Sequence, residues 1–142
     1  MSDSVQPPNT SPAIRVMMMP RDTNGHGTIF GGVILSYLDQ AGAIEARKLG
    51  CTSVVTVAMD SVEFKQPVFV GDVLSFHAET VHVGRTSARI RINVYAERFE
   101  PPCEVIPVTF AELVFVAVDA ERKPVTFDQE ETSKRQKVEK SK

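Results

Sequence analysis

Between Pro20 and Arg47 the sequence reads PRDTNGHGTIFGGVILSYLDQAGAIEAR. Four features of this stretch can do chemistry: the carboxylate of Asp39, the side-chain amide of Asn24, the imidazole of His26, and the backbone amides at Gly31 and Gly32. Asp39 has Leu35, Leu38, Ala43 and Ile44 as helical neighbours. A carboxylate in such surroundings is partly stripped of water, which makes it a stronger base or nucleophile, and its charge then needs hydrogen bonds. A second reading places Asp39 on a solvated stripe with Ser36, Gln40, Ala43 and Arg47. The glycine pair enters the helix. The first helical N–H groups lack intrahelical partners and lie at the positive end of the dipole, so they can bind phosphate or steady an oxygen as it gains charge. The pair can equally be a plain turn.

Asn24 suits either a turn or the orientation of a water or carbonyl group. His26, between two glycines, reads as a loop histidine before it reads as a general base. His77 and His82 fall on opposite faces of one strand and have no Cys or His partner at ligand spacing, so no metal site is expected. No G-x-S-x-G elbow, P-loop or dinucleotide fingerprint is present. Gly32 and Asp39 are seven residues apart, about 10 Å along one helix. They cannot both touch one reacting carbonyl from the same helix. If both act, Asp39 of one chain must meet the helix start of another, which predicts a two-fold dimer with two equivalent sites.

The elements that carry these groups follow from periodicity. Residues 13–19 form a short strand closed by Pro20, and DTNGHG is a loop. Phe30 to Leu49 read as a helix, stopped by Gly50. Strands follow at Thr52–Phe64, Asp72–Val83, Thr86–Phe99 and Glu104–Val118. In the third of these, Ala88, Ile90, Ile92, Val94 and Ala96 share one face, with Arg89, Arg91, Asn93 and Tyr95 on the other. The last strand is apolar on both faces near its end, as a strand covered on two sides would be. One long helix lying along a curved antiparallel sheet is an α+β layout that buries both apolar surfaces. Val, Leu and Phe on the sheet's other face call for a further partner there.

The chain has 142 residues and a net charge of −2, which suits one domain and does not favour nucleic acid or an anionic membrane as partner. No apolar run approaches the roughly 20 residues that span a bilayer, and the start lacks signal-peptide character. Cys51 and Cys103 form neither a disulfide framework nor a ligand set, so a cytoplasmic protein is expected. Residues 1–11 read as a disordered leader, 12–127 as the folded domain, and 128–142 as a disordered charged tail.

PRDTNGHGTIFGGVILSYLDQAGAIEAR, followed by VTVAMDSVEFKQPVFVGDVLSFHAETVHVGRTSARIRINV, resembles the hot-dog-fold acyl-CoA thioesterases of the short cytosolic type. The resemblance spans about Ile14 to Val118. It implies a five-stranded antiparallel sheet of order 1-3-4-5-2 wrapped around one helix, with two units pairing edge to edge, often as a trimer of dimers. It implies an acyl-CoA substrate, hydrolysed to a free carboxylic acid and CoA with no separate cofactor. Asp39 matches the family's helix carboxylate, as base or nucleophile. Asn24 matches the loop amide that supports it, and Gly32 the oxyanion donor. Phe30 and Gly31 belong to the substrate-binding entry, and the apolar seam of Phe30, Val33 and Tyr37 can hold an acyl chain. The turn Gly84, Arg85, Thr86 and Ser87 matches the segment that meets the nucleotide of CoA, with Lys65 a further phosphate contact. Two other readings stand beside hydrolysis: a non-catalytic acyl-CoA-binding regulatory module, and a hot-dog dehydratase acting on hydroxyacyl thioesters through a loop histidine such as His26.

Overall fold

Strict alternation in the later half of the chain folds into long paired strands. The structure, a computed structural model, describes residues 10–50 and 53–127. The expected leader, apart from Thr10 and Ser11, lies outside the described residues, as do the expected tail and Cys51. Strand β1 covers Ile14–Met17, helix α1 Gly31–Ala46, β2 Ser53–Phe64, β3 Val73–Val83, β4 Ser87–Glu97 and β5 Val105–Val118. They form one antiparallel sheet of order β1-β3-β4-β5-β2. The α+β layout and the strand order are as expected, with ends displaced by at most three residues. The helix starts one residue later than Phe30, and Arg47–Leu49 tighten into a 3-10 turn before Gly50.

The helix lies against β2, β3, β4 and β5, so the sheet curls around it. Its inward residues Ile34, Leu38, Ala41 and Ala46 are buried. They join a core with Phe76 of β3, Ile90, Ile92 and Val94 of β4, and Leu113 and Phe115 of β5. Each such large side chain contributes roughly 1.5–3 kcal/mol of burial. The predicted inward set of β4 is recovered in full: Ala88, Ile90, Ile92, Val94 and Ala96 are all buried. Polar contacts hold the helix at both flanks. Thr56 of β2 donates its hydroxyl to Asp39, and Thr80 of β3 donates to Glu45 at 3.3 Å.

The sheet's outer face carries the expected Val and Phe, and beside them a row of charges that was not expected. Glu79, Arg91, Glu112 and Asp60 stand in register across β3, β4, β5 and β2. Arg91 pairs with Glu112 at 3.2 Å and with Glu79 at 3.6 Å, and Arg89 bridges Asp60 and Glu112 at 3.1 and 3.2 Å. These acids hold the Arg89 guanidinium above its ordinary value. Phe110, Val114 and Val116 of β5 share this face and are only half-buried, so within one chain β5 is fully covered on its helix side alone. His77 is also buried, with its ring edge-on to Tyr95 at 5.7 Å; loss of water lowers its pKa and raises that of Tyr95. No described helix is long and apolar enough to cross a membrane.

Gly42 sets how closely helix and sheet approach. A Cβ there would fall 2.7 Å from two ring carbons of Phe115. Gly42→Val therefore forces apart a filled contact, and overpacking of this kind costs roughly 1–3 kcal/mol. Urea unfolding should show that loss; unchanged stability would mean that the contact has slack.

Candidate active site

The helix margin next to β2 positions Asp39. The side chain is half-buried and accepts the Thr56 hydroxyl through Oδ1. Leu35, one turn earlier, packs on the core, whereas Ser36 and Gln40 are exposed. Asp39 thus sits neither in the core nor on an open polar stripe: it occupies the seam between the helix and an edge strand. Thr56 was absent from the sequence-based set. Its one sequence signal is a hydroxyl within the apolar run Val54, Val55, Val57 and Ala58.

The loop before the helix is rigidly tied. Asn24 Oδ1 accepts the His26 and Thr28 N–H groups at 2.8 and 3.2 Å, and Asn24 Nδ2 donates to Thr28 Oγ1 at 2.8 Å. The turn role weighed for Asn24 is real. An amide has two N–H donors, and the second has no partner among the described residues. Ile29 N–H donates to Val68 O and Phe30 N–H to Asp22 O, both at 2.8 Å. His26 is exposed and enters this network only through its backbone.

These bonds deliver the chain into α1 with the N–H groups of Gly31 and Gly32 unpartnered among the described residues. A Cβ at Gly32 would lie 2.5 Å from the exposed Phe30 ring, which rests over the first helical turn and would have to turn aside. At Gly31 a Cβ would meet Phe64 at 3.5 Å. Two hollows adjoin this helix start. One, of about 270 Å³, includes Gly31, Ile34, Phe64 and Lys65. The other, of about 380 Å³, runs along the helix past Phe30, Gly32, Val33, Ser36, Tyr37 and Gln40. The apolar trio Phe30, Val33 and Tyr37 is therefore brought together. A larger hollow of about 430 Å³ includes Phe69, Arg98 and Phe99 but neither Asp39 nor Gly32. Its Arg98 is held by buried Asp72 and by the Phe69 ring, 4.9 Å away, which makes it a latch on the loop before β3.

The remaining expected contacts do not converge within one chain. Gly84 N–H donates to Ser87 O at 2.7 Å and closes the β3–β4 turn that carries Arg85 and Thr86. Lys65 follows Phe64, which aligns through Thr109 with Val94, seven residues along β4 from Ser87. At about 3.3 Å per residue this puts Lys65 and the turn roughly 23 Å apart, at opposite ends of the sheet. Within one chain Lys65 and the turn therefore stand too far apart to touch the same phosphate. The Lys65 ammonium lies 5.9 Å from the Phe110 ring centroid.

These groups are carried by a five-stranded antiparallel sheet curled around one long helix, which is the hot-dog fold. The thioesterase superfamily profile matches residues 26–101. The acyl-CoA thioester hydrolase YciA of Escherichia coli is 40% identical over 87% of this chain and 96% of its own length. A hexameric hotdog fold thioesterase of Campylobacter jejuni shares 41% identity and a TM-score of 0.81, over 89% of this chain and 96% of that one. An acyl-CoA hydrolase of Staphylococcus aureus, solved with butyryl coenzyme A, coenzyme A and coenzyme A disulfide, gives 28% identity and a TM-score of 0.74, over 90% and 85%. The chain belongs to the thioesterase superfamily.

The Thr56 hydroxyl fixes where the Asp39 carboxylate lies. Thr56→Val removes the donor while keeping the shape, and should lower kcat on a thioester about tenfold or more, with KM little changed. Thr56→Ser should restore it. Equal kcat for wild type and Thr56→Val would remove this role.

Proposed function

We propose that the protein hydrolyses acyl-CoA to a free carboxylic acid and CoA. The observation that carries this reading is a carboxylate held at the helix margin by Thr56, on a chain whose helix start presents unpartnered amides. The Gly32 N–H is the oxyanion donor for the thioester oxygen. Asp39 either takes a proton from the attacking water or attacks the carbonyl carbon itself. The free N–H of Asn24 orients the water or the carbonyl. A thioester is electrophilic enough that one base and one donor suffice without a triad. CoA enters as part of the substrate and leaves as product, so no separate cofactor is needed. Arg85, Thr86 and Ser87 of one chain, and Lys65, meet its phosphates from different sides. The YciA relative and the S. aureus structure, named as acyl-CoA hydrolases, support this substrate class.

The site is shared between two chains. Asp39 and Gly32 are about 10 Å apart along one helix, so a second copy must supply the missing half. Strand β2 is the edge that invites it. It is 12 residues long, has one free side, and exposes Val57 and Phe64. The other edge, β1, has only four residues, short enough to discourage pairing. A trimer of such dimers accords with the hexameric state named for the C. jejuni structure. The cytoplasm is the compartment in which we place the reaction.

Release of CoA thiol from an acyl-CoA panel tests the reaction. Asp39→Asn should lose on the order of 10²–10⁴-fold in kcat. Equal rates for variant and wild type would reject the assignment, and retained binding without turnover in the wild type would favour a regulatory module. Sharing of the site is tested by co-expression. Gly32→Pro removes the donor in the first helical turn, where no intrahelical bond is lost, once the exposed Phe30 ring turns aside. Mixed randomly with Asp39→Asn, half of the dimers carry one copy of each and so one intact site, about a quarter of wild-type activity. No recovery above the two separate variants would place both groups in one chain's site.

A further inference from the structure

The stretch that leads into α1 hangs on one loop, and that loop hangs on Arg98. Met18 and Ile29 stand at either end of the stretch, and both are buried. Residues 67–72, between β2 and β3, hold them. Val68 O accepts the Ile29 N–H at 2.8 Å, and Asp72 O accepts the Met18 N–H at 2.9 Å. Gly71 N–H donates in turn to Met18 O at 2.8 Å. Gly32 follows Ile29 by three residues, so the place of its amide is set through Val68.

The loop has its own anchor. Arg98, just past the end of β4, donates through Nη1 to Pro67 O at 3.1 Å and to the Asp72 carboxylate. Asp72 Oδ2 also accepts the Phe69 N–H at 2.9 Å. Among the described residues, the other hydrogen bonds of residues 67–72 run within the loop or to Met18 and Ile29. Arg98 is thus what fastens these two segments to β4. Asp72 is 1% exposed, so its charge depends on that cation. Without Arg98 the loop loses its grip at Pro67 and keeps an unpaired charge, which regains water only if the loop lifts. Val68 and Ile29 would lift with it. Arg98 lines neither hollow at the helix start. We infer that Arg98 is a positioning residue for the reaction: by clamping Pro67 and Asp72 it fixes the Gly32 amide against the thioester oxygen. Misplacing a reacting group by about 1 Å can cost on the order of 10²-fold in rate.

This rests on the proposed hydrolysis, and the test separates the two. Thiol release from acyl-CoA and amide hydrogen exchange are measured for wild type, Arg98→Met and Arg98→Lys. Methionine offers no donor. In Arg98→Met kcat should fall about tenfold or more, with KM changed less than about twofold. Exchange at the Ile29 amide should quicken about tenfold more than at Leu113 of β5, because the loop opens locally while the sheet does not. Lysine keeps a cation for Asp72 and donors for Pro67 O, so Arg98→Lys should return both quantities to within about threefold of wild type. The double variant Arg98→Met with Asp72→Asn removes the unpaired buried charge and so secures the fold. It still lacks the grip on Pro67, and should show both changes by about threefold or more. Unchanged kcat in both Met-bearing variants, or equal quickening at Ile29 and Leu113, would overturn the positioning role and leave hydrolysis standing. A wild type that cleaves no acyl-CoA would overturn the hydrolysis and the positioning role with it.

Discussion

Everything about this chain follows from one geometric demand: a single helix must fill the inside of a curled sheet. Ile34, Leu38, Ala41 and Ala46 meet that demand on the helix, and Phe76, Ile92 and Phe115 meet it on the sheet. The fit is close enough that Gly42 has to lack a side chain for Phe115 to lie beneath it. A helix buried to this depth has no room for a charge on its inner face. A carboxylate can be carried only at the margin, where the sheet's rim supplies a polar partner. Asp39 meets Thr56 at the β2 margin, and Glu45 meets Thr80 at the β3 margin. The second pair is also engaged by Lys48 at 3.0 Å, which leaves it a structural clasp. Asp39 has no such cation among the described residues, and its hydroxyl partner leaves the second carboxylate oxygen open to other chemistry.

Much of the fold was legible because its signals are periodic. The two-residue rhythm of β4 gave the inward face residue by residue, and the Gly-rich loop before an uninterrupted apolar run gave the helix entry. What depends on register was not legible. Thr56 meets Asp39 only because β2 has a particular phase along the helix, and that phase is altered by irregularities at Thr56/Ala58 and Asp60/Glu63. Nothing in a string of Val, Thr and Ala announces it. The same limit explains Lys65 and Arg85. Each is a plausible phosphate ligand by type, but strand order and direction place them at opposite ends of the sheet. The outer face was legible only in part, for a related reason. Its Val and Phe residues are visible one strand at a time, whereas the ladder from Glu79 to Asp60 exists only across four strands.

The polarity of that outer face bears on how copies associate. A row of alternating charges, already paired within the chain, has little to gain from burial against another surface, because desolvation offsets new Coulomb attraction. The free side of β2 differs. Its N–H and C=O groups form a long unpaired row beside exposed Val57 and Phe64, and pairing satisfies both kinds of surface together. Unequal edges therefore give the sheet one preferred place to grow.

On the proposed reading, edge pairing and chemistry are the same event. Asp39 is anchored to Thr56 on β2, the strand along which a second copy would add. Pairing there would draw two helices toward a common axis, each with its acid facing the seam and its bare amides some 10 Å away. A separation too long for one chain then becomes the offset that two antiparallel copies can close. Isolated chains would hold the base and the donor apart and leave a reactive thioester uncut. On that reading the helix that stabilises the fold by burying one face would keep the proposed catalytic groups idle until a partner arrives.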